Sequence, residues 1–235
     1  MKYDAIEVPT IKELFMDKMI DLILSGKLEA GEKLPTEREL AESMRVSKTI
    51  VHLGLTELER LGFVSVVPRK GAFVANYAEK GTQETLGALL RYNRGTLDKH
   101  TVESMFEFRQ ALEGAIFRRF SKVHTEAEDA ALLAIVENIH REAADNTVAA
   151  ETLAEHIFNM HHAVSVLSGN NVFPLVLNAF RTVSIVFWEN GIRMYGRAES
   201  AQRAEAYARC LINNDADGAI ALLDGDIDAY LSFAF

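Results

Sequence analysis

Apolar positions in the first third of the chain change period in an ordered way. From Thr10 to Leu24 they fall at 11, 14, 15, 19, 22 and 23. That spacing predicts an amphipathic helix with Thr10 as its cap and Ser25-Gly26 as its end. A short connection, Leu28–Leu34, leads to Pro35. Thr36 then opens a second helix, with Glu39 at the capping-box distance, running to Met44. Ser47 caps a third, which carries Ile50, Val51, Leu53, Leu55, Leu58 and Leu61 and stops at Gly62. Two β-rich runs follow, 63–67 and 72–75, joined by Pro68-Arg69-Lys70-Gly71. A helix, a tight turn, a helix and a basic hairpin in this order form a winged helix-turn-helix, which sets one helix into the major groove of DNA.

Beyond about Thr82 the apolar period is helical throughout, which predicts helices at 83–93, 99–122, 125–145, 147–168, 171–195, 198–214 and 216–233. Of four prolines only Pro174 lies after the hairpin. The fold class read from this is mainly α. A winged helix-turn-helix (α plus a small β hairpin) over 1–76 and a linker over 77–82 precede an all-α helical bundle over 83–235. No internal repeat or low-complexity tract interrupts it.

The net charge of −9 changes the picture only through its distribution. Residues 1–76 hold 11 Lys and Arg against 12 Asp and Glu, whereas 77–235 hold 14 against 22. Between 45 and 70 five bases (Arg45, Lys48, Arg60, Arg69, Lys70) outnumber two acids (Glu57, Glu59). DNA attraction depends on charge at the contact face, and an acidic second half repels wrong docking. With 49% hydrophobic residues the chain can build real cores. No apolar run reaches the roughly twenty residues of a membrane span, and the start, Met-Lys-Tyr-Asp-Ala-Ile-Glu, does not resemble a signal peptide. One cysteine, Cys210, excludes an internal disulfide or a multi-cysteine metal site. The expectation is a cytoplasmic protein with no membrane partner.

The candidate DNA contacts follow from placement. Ser47, Lys48 and Thr49 stand at the N-terminal turn of the third helix, where free amides and short donors meet phosphate and base edges, and His52 is one turn on. Arg38 begins the preceding helix. Arg69, Lys70 and Gly71 form the hairpin tip.

These residues also carry a resemblance. Gly31, Leu34-Pro35-Thr36-Glu37-Arg38, Leu40-Ala41, Val46-Ser47, Leu55, Leu58, Leu61-Gly62-Phe63 and Gly71-Ala72-Phe73-Val74 resemble the DNA-binding domain of the GntR regulators. Two stretches depart from that pattern: Lys48 stands where the family has arginine, and Val51-His52-Leu53-Gly54-Leu55 replaces Val-Arg-Glu-Ala-Leu. Lysine keeps the charge but lacks the planar fork of arginine, so the operator is expected to differ from the usual family sequence.

The second half resembles the ligand-sensing (FCD-type) domain of the FadR subgroup, through Phe108-Arg109-x-x-Leu112-Glu113, His161 with Gly169-Asn170 eight residues on, and the helix order. Many members of that subgroup hold a divalent metal; the matching places here are Ile157, His161, Ala204 and Asp226. One imidazole and one carboxylate make a poor first shell, and His156 and His162 do not share the face of His161. No metal and no cofactor are expected.

The resemblance implies a homodimer on a near-palindromic operator, with double-stranded DNA and a small-molecule effector as partners. Candidate effector contacts are Arg109 and His161, which sit on inward stripes, and Asn178 and Arg181, which fall in line on the apolar 171–195 segment. An inward arginine needs an anion, so Arg109 either pairs with Glu113 or holds an anionic metabolite such as an organic acid. The aromatic run Phe173, Phe180, Phe187, Trp188, Tyr195 either builds plain core or lines a lipid-sized cavity; the latter makes long-chain acyl-coenzyme A the alternative effector. No glycine-rich phosphate loop, Gly-x-Ser-x-Gly or His-Glu-x-x-His is present, so no enzyme activity is expected. A sensing or assembly protein that has lost DNA binding remains an alternative.

Overall fold

The computed structural model describes residues 9–92 and 99–235. The chain divides into two compact units, with the boundary after Thr96.

In the first unit, α1 (Ile11–Leu24), α2 (Glu37–Met44) and α3 (Lys48–Arg60) precede the hairpin β1 (Val64–Val67) and β2 (Gly71–Val74). Thr10 and Thr36 each close a capping box, with Glu13 and Glu39, and their bonds to the threonines hold both glutamates below the usual carboxylate range. Ser47 Oγ accepts from the Ile50 amide at 3.2 Å and so starts α3. Only three residues, Arg45 to Ser47, separate α2 from α3; Arg45 takes the left-handed conformation (φ 54°) that lets the chain reverse there. β1 and β2 pair antiparallel, Val64 with Val74 through Val67 with Gly71. The 31–34 segment lies against the outer edge of β2: Leu34 N donates to Ala72 O at 2.9 Å and Val74 N to Glu32 O at 2.8 Å.

The buried stripe of α1 is Phe15, Met16, Met19, Ile20 and Ile23. Ile11 and Leu14, counted apolar-face positions by spacing, are 59% and 53% exposed, so the face is rotated from the expected one. These residues pack against Val51, Leu55 and Leu58 of α3, Phe63 just before β1, and Val64 in it. Gly54 is what permits that distance between α1 and α3: a Cβ there would lie 2.4 Å from Phe15 Cδ1.

The segment expected as a linker and the helix expected to open the second domain both pack with the first unit. Tyr77, in the short α4 (Tyr77–Lys80), lies 5.8 Å from the Phe63 ring. Ala88, in α5 (Gln83–Tyr92), joins the first core. The buried Thr85 hydroxyl donates to Leu61 O at 2.7 Å, which ties α5 to the end of α3. Residue 93, in the predicted 83–93 helix, lies outside the described residues.

The second unit is helical: α6 (Lys99–Val123), α7 (Glu126–Ala144), α8 (Ala150–Leu167), α9 (Phe173–Ala179), α10 (Arg181–Tyr195), α11 (Arg197–Ile212) and α12 (Ala216–Ala234). α8 is its centre. It buries Leu153, Ile157, Met160, His161 and Val164 along one side and packs against α6, α7, α9, α10 and α11. The expected single central helix over 171–195 is instead two helices broken at Phe180 (φ −100°, ψ 8°). α10 buries only Val183 and Ile192; its apolar surplus faces aromatic neighbours and cavities rather than a closed core.

Candidate DNA interface and effector cavity

One side of α3, from His52 to Glu59, and the hairpin face a common groove of about 560 Å³, lined among others by Lys33, Glu37, His52, Glu59, Arg69 and Lys70. Lys48, Thr49 and His52 are all exposed. Ser47 is exposed but its hydroxyl is spent on the helix cap. Arg38 projects to solvent and bonds Glu42 at 2.9 Å. At the hairpin tip Arg69 is left-handed (φ 64°) and Gly71 has φ 109°; a Cβ on Gly71 would also press the Lys33 side chain at 3.2 Å. Glu59 Oε1 accepts from Val66 N at 2.7 Å and fastens the wing to α3. Cationic side chains from α2, α3, the wing and Lys33 thus lie on one unit's exposed surface, as phosphate binding requires.

Glu37 had only a motif role in the sequence, yet it organises this face. Its Oε1 lies 2.8 Å from His52 Nδ1 and its Oε2 3.9 Å from Lys48 Nζ. A contact between residues fifteen apart across a turn is invisible to helical spacing.

In the second unit Glu113 is the junction. It is buried, and Arg109 Nε (2.8 Å) and His161 Nδ1 (2.9 Å) both contact its carboxylate. Burial alone would raise its pKa, but the Arg109 guanidinium and the His161 contact more than offset this and hold it at about 2. Arg109 also lies over the Trp188 ring, 4.4 Å from its centroid. Its Nη2 and the Nε2 of His161 are buried without a hydrogen-bond partner. Of the two readings of Arg109, the pair with Glu113 is present, and it leaves one nitrogen free for an acceptor.

Arg109 lines two neighbouring cavities that share Phe106 and Phe187 as walls. The larger, about 340 Å³, is bounded by α6, α9 and α10 with Met105, Phe108, Leu177 and Phe180 among its apolar walls. The smaller, about 40 Å³, carries Tyr195, Arg203 and Asp226. There Arg203 pairs with Asp226 and stacks 3.8 Å from the Tyr195 centroid, while Tyr207 OH donates to Asp226 Oδ2 at 2.9 Å. Burial, then the Asp226 charge, pushes the Tyr207 phenol well above its ordinary value.

The structure brings Arg109 and His161 together through Glu113 and leaves Asn178 and Arg181 apart from them. Asn178 is exposed, and Arg181 bonds Asn159 at 2.8 Å and approaches Glu155 at 3.6 Å. Neither lines either cavity, because the break at Phe180 destroys the common line that an unbroken helix would give. Trp188 and Tyr195, from the aromatic run read as core or cavity wall, line the smaller cavity, whereas Arg203 beside them carried no sequence signal.

The residues at the four metal-position matches do not fit a metal. Ile157 and Ala204 offer no donor, His161 Nδ1 is engaged by Glu113, and the two Asp226 oxygens are engaged by Arg203 and Tyr207. His156 pairs with Glu142 instead of approaching His161. Cys210 is half-buried, and burial pushes its thiol up.

Residues 13–74 match the model of bacterial regulatory proteins of the gntR family, and residues 104–229 match the FCD domain. The chain belongs to the GntR family, with an FCD domain as its second unit. A fatty acid metabolism regulator protein of Pectobacterium carotovorum is 24% identical over 199 residues, 80% of each chain. One from Shewanella putrefaciens is 28% identical over 159 residues, 68% of this chain and 63% of its own length. The uncharacterized HTH-type regulator YcbG of Bacillus subtilis is 29% identical over 113 residues, 48% of this chain and 45% of YcbG. Among solved structures, a Listeria monocytogenes protein described as controlling the agr system has a TM-score of 0.61 at 15% identity, covering 97% of this chain and 98% of that one. This GntR chain is a ligand-responsive transcriptional regulator and not an enzyme. Among the described residues no helix is long and apolar enough to cross a membrane.

Proposed function

We propose that this regulator binds a near-palindromic operator as a homodimer, with Arg38, Lys48, Thr49 and His52 on the groove and backbone. Ser47 presents the amides of the first turn of α3, and Arg69, Lys70 and Gly71 of the wing meet adjacent phosphates. Two-fold symmetry matches two such units to two half-sites. It acts in the cytoplasm, where its DNA is.

The effector is an anionic metabolite held at Arg109, beside His161, with an apolar body in the 340 Å³ cavity. The observation that carries this is the unpartnered Arg109 Nη2 on a residue common to both cavities. Apolar walls beside Arg109 suit an organic acid with an apolar tail. The aromatic lining, and relatives named fatty acid metabolism regulator, favour acyl-coenzyme A as the second reading. Calorimetry with decanoate, succinate and palmitoyl-coenzyme A separates them: decanoate is expected to bind, and Ser184→Phe, which fills the cavity, to weaken it at least tenfold. Binding of palmitoyl-coenzyme A alone would establish the second reading. Effector and DNA are coupled only through unequal affinities for two arrangements of the protein, so an effector that leaves operator affinity unchanged refutes the coupling.

A further inference from the structure

We propose that Glu37 is a positioning residue that fixes the ring of His52 so that the recognition helix reads a base presenting an amino group in the major groove, adenine or cytosine, where an arginine would read guanine. This rests on the reading that α3 enters the major groove.

The chemistry is decided by what each atom can do. Glu37 Oε1 and His52 Nδ1 are 2.8 Å apart. An ionised carboxylate only accepts hydrogen bonds, so Nδ1 must carry the proton. In a neutral imidazole the other nitrogen, Nε2, is then an acceptor. The His52 side chain is 65% exposed, on the outer side of α3 one turn after its N-terminus. An acceptor presented there needs a donor on the base edge. In the major groove those donors are adenine N6 and cytosine N4; guanine N7 and O6 and thymine O4 only accept. The tautomer therefore inverts the preference that a guanidinium at the same place has, since arginine donates and selects guanine.

Glu37 is itself held in place. It is the first residue of α2, within the span of the Thr36–Glu39 capping box, where a negative charge suits the helix N-terminus. Its second oxygen is 3.9 Å from Lys48 Nζ, so one carboxylate stands beside a residue from each stretch that departs from the family pattern. The other charged groups lining the groove beside His52 are Lys33, Glu59, Arg69 and Lys70. Glu59 is bonded to the Val66 amide.

The test is selection of bound duplexes from a random library by the full chain at pH 8. Wild type, His52→Arg and Glu37→Gln are compared, and affinities for single-position operator variants are then measured by fluorescence anisotropy. The position read by residue 52 is the one whose preference changes in His52→Arg. Wild type is expected to select adenine or cytosine there, and His52→Arg guanine. Glu37→Gln, whose amide can donate or accept, is expected to lose about tenfold of the discrimination at that position alone and to keep the others. Guanine or thymine selected by wild type, or an undiminished preference in Glu37→Gln, would overturn the proposal while leaving the DNA interface intact. Selection of no sequence by wild type and His52→Arg alike would remove the interface itself, and the proposal with it.

Discussion

Glu113 and Gly54 show how much of each unit hangs on single residues. Glu113 has its carboxyl held at about 2, below the ordinary 4.5. A depressed carboxyl pKa contributes stability above the unfolded value and loses it as pH falls through the folded one. The contribution, about 3 kcal/mol, is therefore full above about pH 4.5 and gone near pH 2. Glu113→Gln should lower stability by about 3–5 kcal/mol at neutral pH, because Arg109 is left buried beside a neutral amide. Urea denaturation of both proteins from pH 6 to pH 2 should show their difference shrinking by about 3 kcal/mol. At Gly54, alanine gains about 1 kcal/mol of helix propensity but drives a methyl into the buried Phe15 ring. Overpacking costs roughly 1–3 kcal/mol and should win. Gly54→Ala is expected to melt the first unit earlier by circular dichroism, and Phe15→Leu to restore part of the loss.

At the scale of elements, one guanidinium closes the end of a helix. Arg197, the first residue of α11, donates to the carbonyls of Glu142, Ala143, Asp145 and Val148 at 2.7 to 3.2 Å, holding the last turn of α7 and the loop after it. Lysine keeps the charge but cannot fork to four acceptors. Arg197→Lys should cost about 1–3 kcal/mol. Trp188, the one tryptophan, lies in the second unit, so thermal unfolding followed by its fluorescence reports that unit alone. The α9–α10 break belongs to the same scale. Spacing predicts one continuous apolar helix, but the chain departs from helical dihedrals at Phe180, whose ring packs 4.8 Å from that of Phe108 and lines the cavity.

Over the whole molecule, a net charge of −9 coexists with an exposed cationic surface on the first unit, proposed above to meet DNA, that carries Lys33, Lys48, Arg69 and Lys70. The balance at that surface, not the total, should govern affinity. Arg69→Ala and Lys70→Ala are each expected to weaken binding about equally across sequences and to reduce the slope of log affinity against log salt by about one. Anisotropy titrations from 50 to roughly 300 mM salt measure this. An unchanged slope would mean that the wing does not touch phosphate.

Sequence alone left Arg109 open between Glu113 and an anionic ligand, but it was enough for the helix caps, the turn between α2 and α3 and the hairpin. These depend on residues within four or so positions, where backbone geometry leaves little choice. The rotation of the α1 face, the attachment of α5 to the first unit, the joining of His161 to Glu113 and of His52 to Glu37, and the break at Phe180 were decided by tertiary structure. Each is a contact between distant segments, chosen by which surfaces bury together and which buried polar atoms find partners. No periodicity along the chain encodes such a choice.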